Sequence, residues 1–423
     1  MCAAVALFAA VVVMVAAPSY ADSAGVDRIV QGTLLNRAAD SSPVPGVVFT
    51  VSSSKGKTYT GKTDARGHYK ITVPSTDDGA LTIALDPKTL PKGVQLAPGQ
   101  ASTKKIGVDN TTTLISFSPA VGPDNRKIET KWDLIPQSIY NGLLFGILLA
   151  LSALGLSMVF GTTGLSNFAH GELVTFGAVM TYLGNRVWGL PIVLAIGFAV
   201  LMSAAFGWLN DSALWRPLRR RGTGLIAMMI VSIGLQFFLR NIYQYFTGGR
   251  SLTYREYITP TPHSIGQIDY TYRDIILVAV SLLVLMAVTV ALQYTRLGRA
   301  TRAVADNPAL AASTGINVNR VIATVWIVGT TLAGLGGAFL GFSQSVTYQL
   351  GAQVLLLIFA AVTVGGFGSI WGAMLGSVII GLFVELSTLV IPSELKYAGA
   401  FILLVVVLLV RPQGILGRAQ RVG

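Results

Sequence analysis

From Ile135 to Val410 the chain is one apolar stretch after another, separated only by short polar segments. The stretches fall at 136–160, 166–187, 190–214, 223–246, 273–294, 320–343, 351–366, 370–391 and 395–411. Most reach the ~20 residues a helix needs to cross the hydrocarbon core of a bilayer. Inside lipid every backbone N–H and C=O must be paired within the protein, and a helix does this segment by segment. The expected fold over 133–423 is therefore an all-α polytopic membrane domain with eight or nine transmembrane helices. The shortest stretch, 351–366, either crosses or forms a half-length, re-entrant segment, and the sequence leaves both open.

Composition agrees: 52% of the 423 residues are hydrophobic and 12% charged, too few charges to solvate a globular surface. The net charge of +12 does not point to nucleic acid, because the basic residues sit in short segments beside apolar stretches. Such residues set topology and face membrane lipid. Three arginine-rich segments, Trp215–Arg221, Tyr294–Arg320 and the tail with Arg411, Arg418 and Arg421, fall on one side if nine crossings begin outside. That side is the cytoplasm, which places the N-terminal region outside and the C-terminus inside. The one cysteine, Cys2, and three histidines in separate segments leave no basis for a disulfide, a metal site or a cofactor.

Ala3–Ala17 is apolar and is followed by small and polar residues, so 1–21 reads as a secretory signal cleaved near Ala21. It lacks a positive n-region, which leaves open an upstream start or an uncleaved anchor. Residues 22–132 are of another kind, rich in Ser, Thr, Gly, Pro and Lys. Alternating triplets Val47/Phe49/Val51, Tyr69/Ile71/Val73 and Leu81/Ile83/Leu85, separated by Gly- and Asp-rich turns, predict a small antiparallel β-sandwich on the extracellular side. Gly56–Thr63 matches the phosphate-loop pattern GxxxxGKT, but a turn and an alternating strand follow it, where phosphate binding needs a helix.

Polar residues inside the apolar half are the candidates for function. Asn167, Phe168, His170, Gly171 and Glu172 lie together in LSNFAHGE, where polar groups within a span need partners or water. One reading makes them a helix start beside a substrate path, whose exposed N–H groups can hold a carboxylate. The other makes Asn167 a helix cap and His170 and Glu172 the stabilisers of a break. Gly365 and Gly366, in GGFGS, mark a bend or break between two spans and are candidates for the substrate pathway. Glu385 is a lone carboxylate in its span, either a pathway candidate or a group hydrated near the interface, and Gln236, Arg240 and Asn241 form a polar stripe or the outer end of theirs. Glycines four apart, such as Gly142/Gly146 and Gly372/Gly376, suit close helix packing. Within the basic segment, Asn307–Thr314 predicts a short cytoplasmic helix, with Pro308 at its first position and Gly315 at its stop. Such a helix between two spans is a docking surface.

Five runs together resemble a known family: NGLLFGILLALSALGLSMVFGTTGLSNFAHGELVTFGAVMTYL, WRPLRRR, LGRATRAVADNPALAASTGINVNRVIA, VGGFGSIWGAMLGSVIIGLFVE and RPQGILGR. In this order, over 135–417, they are similar to the permeases of branched-chain amino-acid ABC importers of the LivH type. Permeases for urea and short amides share much of the pattern. The resemblance implies a non-enzymatic subunit that pairs with a second, related permease. Two cytoplasmic ABC ATPases would hydrolyse ATP, and an extracellular solute-binding protein would deliver cargo at a bacterial plasma membrane. It makes Asp306–Gly315 the helix that couples to an ATPase, with Arg302, Asp306, Asn307, Ala311, Gly315 and Ile316 at the contact, and Asn167–Glu172 a motif near the pathway. The family often has a basic residue ahead of the double glycine, and Val354–Val364 has none. The N-terminal pattern GTLLN…PVPGVVFTV…GKTDARGHYKITVP resembles carboxypeptidase-regulatory-like or prealbumin-like β-domains, an addition to the simpler permease plan. A passive channel and a membrane enzyme are the rival classes. Some channels pair two asparagine-bearing half-helices, and Asn167 shows no twin in the sequence. An enzyme needs more converging acids and histidines than His170 and Glu172 supply.

Overall fold

The structure is a computed structural model that describes residues 28–36, 42–54, 56–74, 79–91, 94–96, 101–108, 114–119, 121, 132–255, 263–392, 395–410 and 414–416. The signal segment and the tail arginines Arg411, Arg418 and Arg421 lie outside the described residues. Contacts divide the chain into a strand-rich unit within Ala17–Glu129 and a helical unit from Thr130 onward.

In the strand-rich unit, β1 (Arg28–Thr33) pairs antiparallel with β6 (His68–Val73) and parallel with β9 (Leu114–Ser116). A second sheet has the order β5 (Thr58–Lys62), β4 (Val48–Ser53), β7 (Gly79–Leu85), β8 (Thr103–Val108). Two-residue strands β2 (Leu35–Asn36) and β3 (Ser42–Pro43) form a separate short ladder. Strand alternation turns all three apolar triplets of the sequence into one core shared by both sheets. There the rings of Phe49 and Tyr69 stack at 3.8 Å, and the Tyr69 hydroxyl donates to the Phe117 carbonyl at 2.6 Å. The phosphate-loop look-alike is the turn into β5, and the chain then enters β6, so no helix N-terminus stands behind it.

The helical unit is built on α1 (Ile135–Thr163). Gly164, at φ +69°, ends it in the left-handed conformation that glycine adopts without strain. α2 (His170–Tyr182) continues through a π-helical turn, Leu183–Val187. α3 (Ile192–Asn210) likewise passes through a π turn, Asp211–Trp215, into the short basic α4 (Arg216–Arg220). Then come α5 (Leu225–Thr247), the hairpin β10 (His263–Ile265) and β11 (Ile268–Tyr270), and α6 (Tyr272–Tyr294). The chain continues through α7 (Arg296–Asp306), α8 (Pro308–Ser313), α9 (Val318–Gln344), α10 (Leu350–Gly365), α11 (Ile370–Ser387) and α12 (Lys396–Val410).

Among the described residues six helices are long and apolar enough to cross a membrane: α1, α3 continuing into α4, α5, α6, α9 and α11. The stretches at 166–187, 351–366 and 395–411 form shorter helices. The reason at 166–187 is local. Residues 164–169 are not helical, so α2 begins only at His170. The half-length alternative entertained for 351–366 thus has a counterpart that the apolar pattern hid.

The two most enclosed of these long helices, α1 and α9, have 78% and 72% of their apolar windows buried, against 17% for α5. They cross antiparallel through glycines: a Cβ on Gly155 would stand 2.4 Å from the Gly329 carbonyl, and one on Gly336 2.4 Å from the Ser152 hydroxyl. Without a hydrophobic drive between helices in lipid, such backbone contact is what holds spans together. α11 runs antiparallel along α1, where Gly142 and Gly146 meet Leu382 and Ser377. α3 runs antiparallel along α9, where Gly207 meets Trp326 and Gly334 meets Ser203. The order long buried helix, short helix, outer helix therefore occurs twice, as α1–α2–α3 and α9–α10–α11. The two short helices meet at their first turns, where a Cβ on Gly351 would lie 1.8 Å from the Gly171 carbonyl.

Candidate functional site

The first turn of α2 sits deep in the bundle because its neighbours are mid-helix residues. The His170 ring nitrogen Nε2 donates to the Ser152 carbonyl at 2.9 Å, near the middle of α1. A carbonyl only accepts, so Nε2 carries the proton and Nδ1 is left as an acceptor, without a partner in this structure. Asn167 is fully buried and does not occupy the cap position, which falls to Ala169. Its Oδ1 accepts from the Ala169 N–H at 3.1 Å, its carbonyl accepts from the His170 N–H at 3.1 Å, and its Nδ2 has no partner. The Phe168 N–H donates to Ser232 Oγ of α5 at 3.0 Å, and the Phe168 ring lies 5.3 Å from Phe359 of α10. Gly171 is where α10 touches α2. Next to it, Thr175 Oγ1 accepts from the Gly351 N–H at 3.0 Å, closing the start of α10.

Glu172 is fully buried. Its Oε1 accepts from Arg240 Nε of α5 at 3.1 Å, and its backbone carbonyl accepts from the Tyr243 hydroxyl at 3.0 Å. With its amide oriented to suit both neighbours, Gln236 donates to the Phe168 carbonyl (3.3 Å) and accepts from Arg240 Nη2 (2.6 Å). The polar stripe of α5 is thus divided: Gln236 and Arg240 turn toward the LSNFAHGE turn, whereas Asn241 is exposed and donates to the Phe237 carbonyl of its own helix. Sequence reasoning noted Arg240 but not its partner. The signal was a basic residue four positions after a glutamine in an apolar helix, with a carboxylate needing a counter-charge elsewhere.

The other pathway candidates lie apart from this cluster. Gly365 and Gly366 form the tight hairpin between α10 and α11, at the opposite end of α10 from Gly351. A Cβ on Gly365 would stand 1.9 Å from the Gly372 carbonyl, and the Gly365 carbonyl accepts from the Leu416 N–H at 3.0 Å. Glu385 is half-buried near the end of α11, where its backbone carbonyl accepts from the Thr388 hydroxyl at 2.6 Å. Among the described residues no three His, Cys, Asp or Glu side chains gather as metal ligands would.

The basic segment folds as two helices joined at Asn307. Thr295 Oγ1 caps α7, accepting from the Gly298 N–H at 3.1 Å. Arg302 reaches back to the carbonyls of Leu292 and Gln293, the latter at 3.2 Å, and Arg299 to that of Tyr294 at 3.1 Å. These are the last carbonyls of α6, unpaired by helix geometry and attractive to cations. Arg302 therefore fastens α7 to α6. Asn307 caps α8, with Oδ1 accepting from the Leu310 N–H at 3.0 Å and Pro308 next to the cap, and Gly315 (φ +87°) follows its end, as the sequence predicted. Asp306, Asn307 and Gly315 are exposed, Ile316 is half-buried and Ala311 is buried, so Ala311 packs inward. The largest apolar side chain that α8 presents outward is Leu310, 63% exposed and missed by sequence reasoning.

Residues 138–410 match the family described as branched-chain amino acid transport system / permease component. This chain belongs to that family. The high-affinity branched-chain amino acid transport permease LivH of Salmonella typhimurium is 35% identical over 298 residues, covering 67% of this chain and 96% of its own. BraD of Pseudomonas aeruginosa, described in the same terms, is 32% identical over the same shares of both chains. LivM of Escherichia coli, another permease of such a system, is 27% identical, over 62% of this chain and 66% of its own.

Proposed function

We propose that this chain is a permease subunit of an ATP-driven importer that moves branched-chain or other hydrophobic amino acids across a bacterial plasma membrane, with urea or a short amide as the alternative cargo. The observation that carries this reading is the family match across the helical unit, joined to a buried polar cluster at the meeting point of α2 and α10. Short helices that begin inside a bundle expose positive dipole ends and polar groups at mid-membrane, the arrangement that carries substrate in many transporters. The second permease is a LivM-like chain, two ABC ATPases sit below, and a solute-binding protein docks outside. α7 and α8 are the cytoplasmic docking segment, supported by their arginines and by Leu310. On this reading α2, α10 and α12 join the six long helices to make nine membrane segments, the strand-rich unit is an extracellular sandwich, and the C-terminus is cytoplasmic.

The passive-channel reading gains one support: α2 and α10 are the paired short helices the sequence did not reveal, although only α2 is preceded by a buried asparagine. Leucine uptake by vesicles holding the complete assembly separates the two. Uptake that requires ATP and stops with hydrolysis-dead ATPase subunits supports the importer. Equal uptake with and without those subunits makes the protein a facilitator.

A further inference from the structure

We propose that Arg240 receives the carboxylate of the cargo and that the aromatic surface beginning at Phe237 receives its apolar side chain, with Glu172 as a positioning residue that aims the guanidinium. This rests on the importer reading and names the recognition element within it.

α5 is the least buried of the long helices, with Ile226, Ile230, Phe237 and Tyr245 outward, yet it carries an arginine well inside its length. A charge in a span faces the protein interior or a water-filled space. Arg240 faces the fully buried carboxylate of Glu172 and keeps 22% of its own side chain exposed. The ion pair is also incomplete. Arginine and carboxylate usually pair through two parallel hydrogen bonds. Here only Nε bonds Oε1 of Glu172, Gln236 accepts one hydrogen bond from Nη2, and among the described residues Nη1 bonds nothing. The guanidinium is thus gripped along one edge and keeps donors for a second carboxylate.

The surroundings match the rest of a hydrophobic amino acid. Phe237 lies under the guanidinium, 5.7 Å from ring centroid to Cζ. The same ring begins an exposed face of α5 that continues through Phe238, Asn241, Ile242, Tyr245 and Phe246. That face is chiefly aromatic and aliphatic, the chemistry an apolar side chain needs. A zwitterionic amino acid adds no net charge to the neutral Arg240–Glu172 pair, so occupancy leaves no uncompensated charge in the span. Urea or a simple amide offers a neutral carbonyl oxygen, without the charge and paired oxygens that match a guanidinium.

The test uses the complete importer in proteoliposomes, with saturating leucine-loaded binding protein, and reads leucine moved per ATP hydrolysed. Arg240→Gln should lower this ratio at least about ten-fold while binding-protein-stimulated hydrolysis persists, because a buried charge contact to cargo is lost. Arg240→Lys, a cation without the planar fork, should lie between wild type and Arg240→Gln. Glu172→Gln should lower the ratio several-fold by loosening the guanidinium. An assembled Arg240→Gln importer with an unchanged ratio would overturn the proposal, as would an unchanged Arg240→Lys ratio should the glutamine variant not assemble. If the wild-type complex shows no ATP-dependent leucine uptake, the importer reading itself fails, a result distinct from either.

Discussion

The contact between the first turns of α2 and α10 gives a sharp test of the architecture. In Gly351→Ala the new methyl would stand 1.8 Å from the Gly171 carbonyl oxygen, a backbone atom fixed within α2. Carbon and oxygen approach no closer than about 3.3 Å, so the helices must part by about 1.5 Å. That separation breaks the bond from the Gly351 N–H to Thr175, now 3.0 Å, a loss of about 1 kcal/mol. Overpacking adds about 1–3 kcal/mol. The expected destabilisation is therefore about 2–4 kcal/mol. Gly234→Ala on α5 is the control, since nothing lies within 4 Å of its Cβ, and it should be neutral or stabilising by up to about 1 kcal/mol through helix propensity. The assay is thermal inactivation of the detergent-purified complex, variant beside control. Equal midpoints for Gly351→Ala and Gly234→Ala would refute the close crossing of α2 and α10.

The remaining predictions address other parts of the chain. Arg302→Ala frees two terminal carbonyls of α6 and should destabilise the α6–α7 junction by about 1.5–3 kcal/mol, read as faster amide exchange there. Leu310→Asp should leave expression and insertion intact and abolish ATP-coupled uptake, because it places a charge on the outward face of α8 without touching buried Ala311. In the strand-rich unit, the Asp64 carboxylate accepts from the His68 and Arg66 N–H groups, at 2.9 and 2.8 Å, and these bonds hold its pKa below the usual aspartate value of 3.8. A carboxyl more acidic when folded stabilises above its unfolded pKa, and that contribution disappears as pH falls through its lower folded value. Exchange of the His68 amide should accelerate in that acid window, and Asp64→Asn should remove the pH dependence.

Which parts were readable in the sequence follows from what each depended on. The apolar triplets around Phe49, Tyr69 and Ile83 showed the β-core because strand alternation is local and has a period of two. Asn307, Pro308 and Gly315 marked α8 because cap chemistry is local too. Hydropathy could not show that α2 begins at His170, since Leu165, Phe168 and Ala169 are apolar whether or not they are helical. The pairing of Glu172 with Arg240 links residues 68 positions apart, and no periodicity records such a contact. The resemblance set Arg302 at the ATPase contact. Its hydrogen bonds to the end of α6 are a separate feature, seen only once the turn at Thr295 folds α7 back. The repetition of α1–α2–α3 as α9–α10–α11 lies in antiparallel glycine contacts, and glycines at that spacing in the sequence say only that some helix comes close.

The central claim, that α8 faces the cytoplasm and receives the ATPase, is tested most directly by one labelling measurement. Leu310→Cys, in a chain with Cys2 replaced, is exposed to a membrane-impermeant maleimide in right-side-out and inside-out vesicles. The account predicts labelling only in inside-out vesicles, suppressed when the ATPase subunits are bound. Labelling from the outside, or labelling unaffected by those subunits, would contradict it.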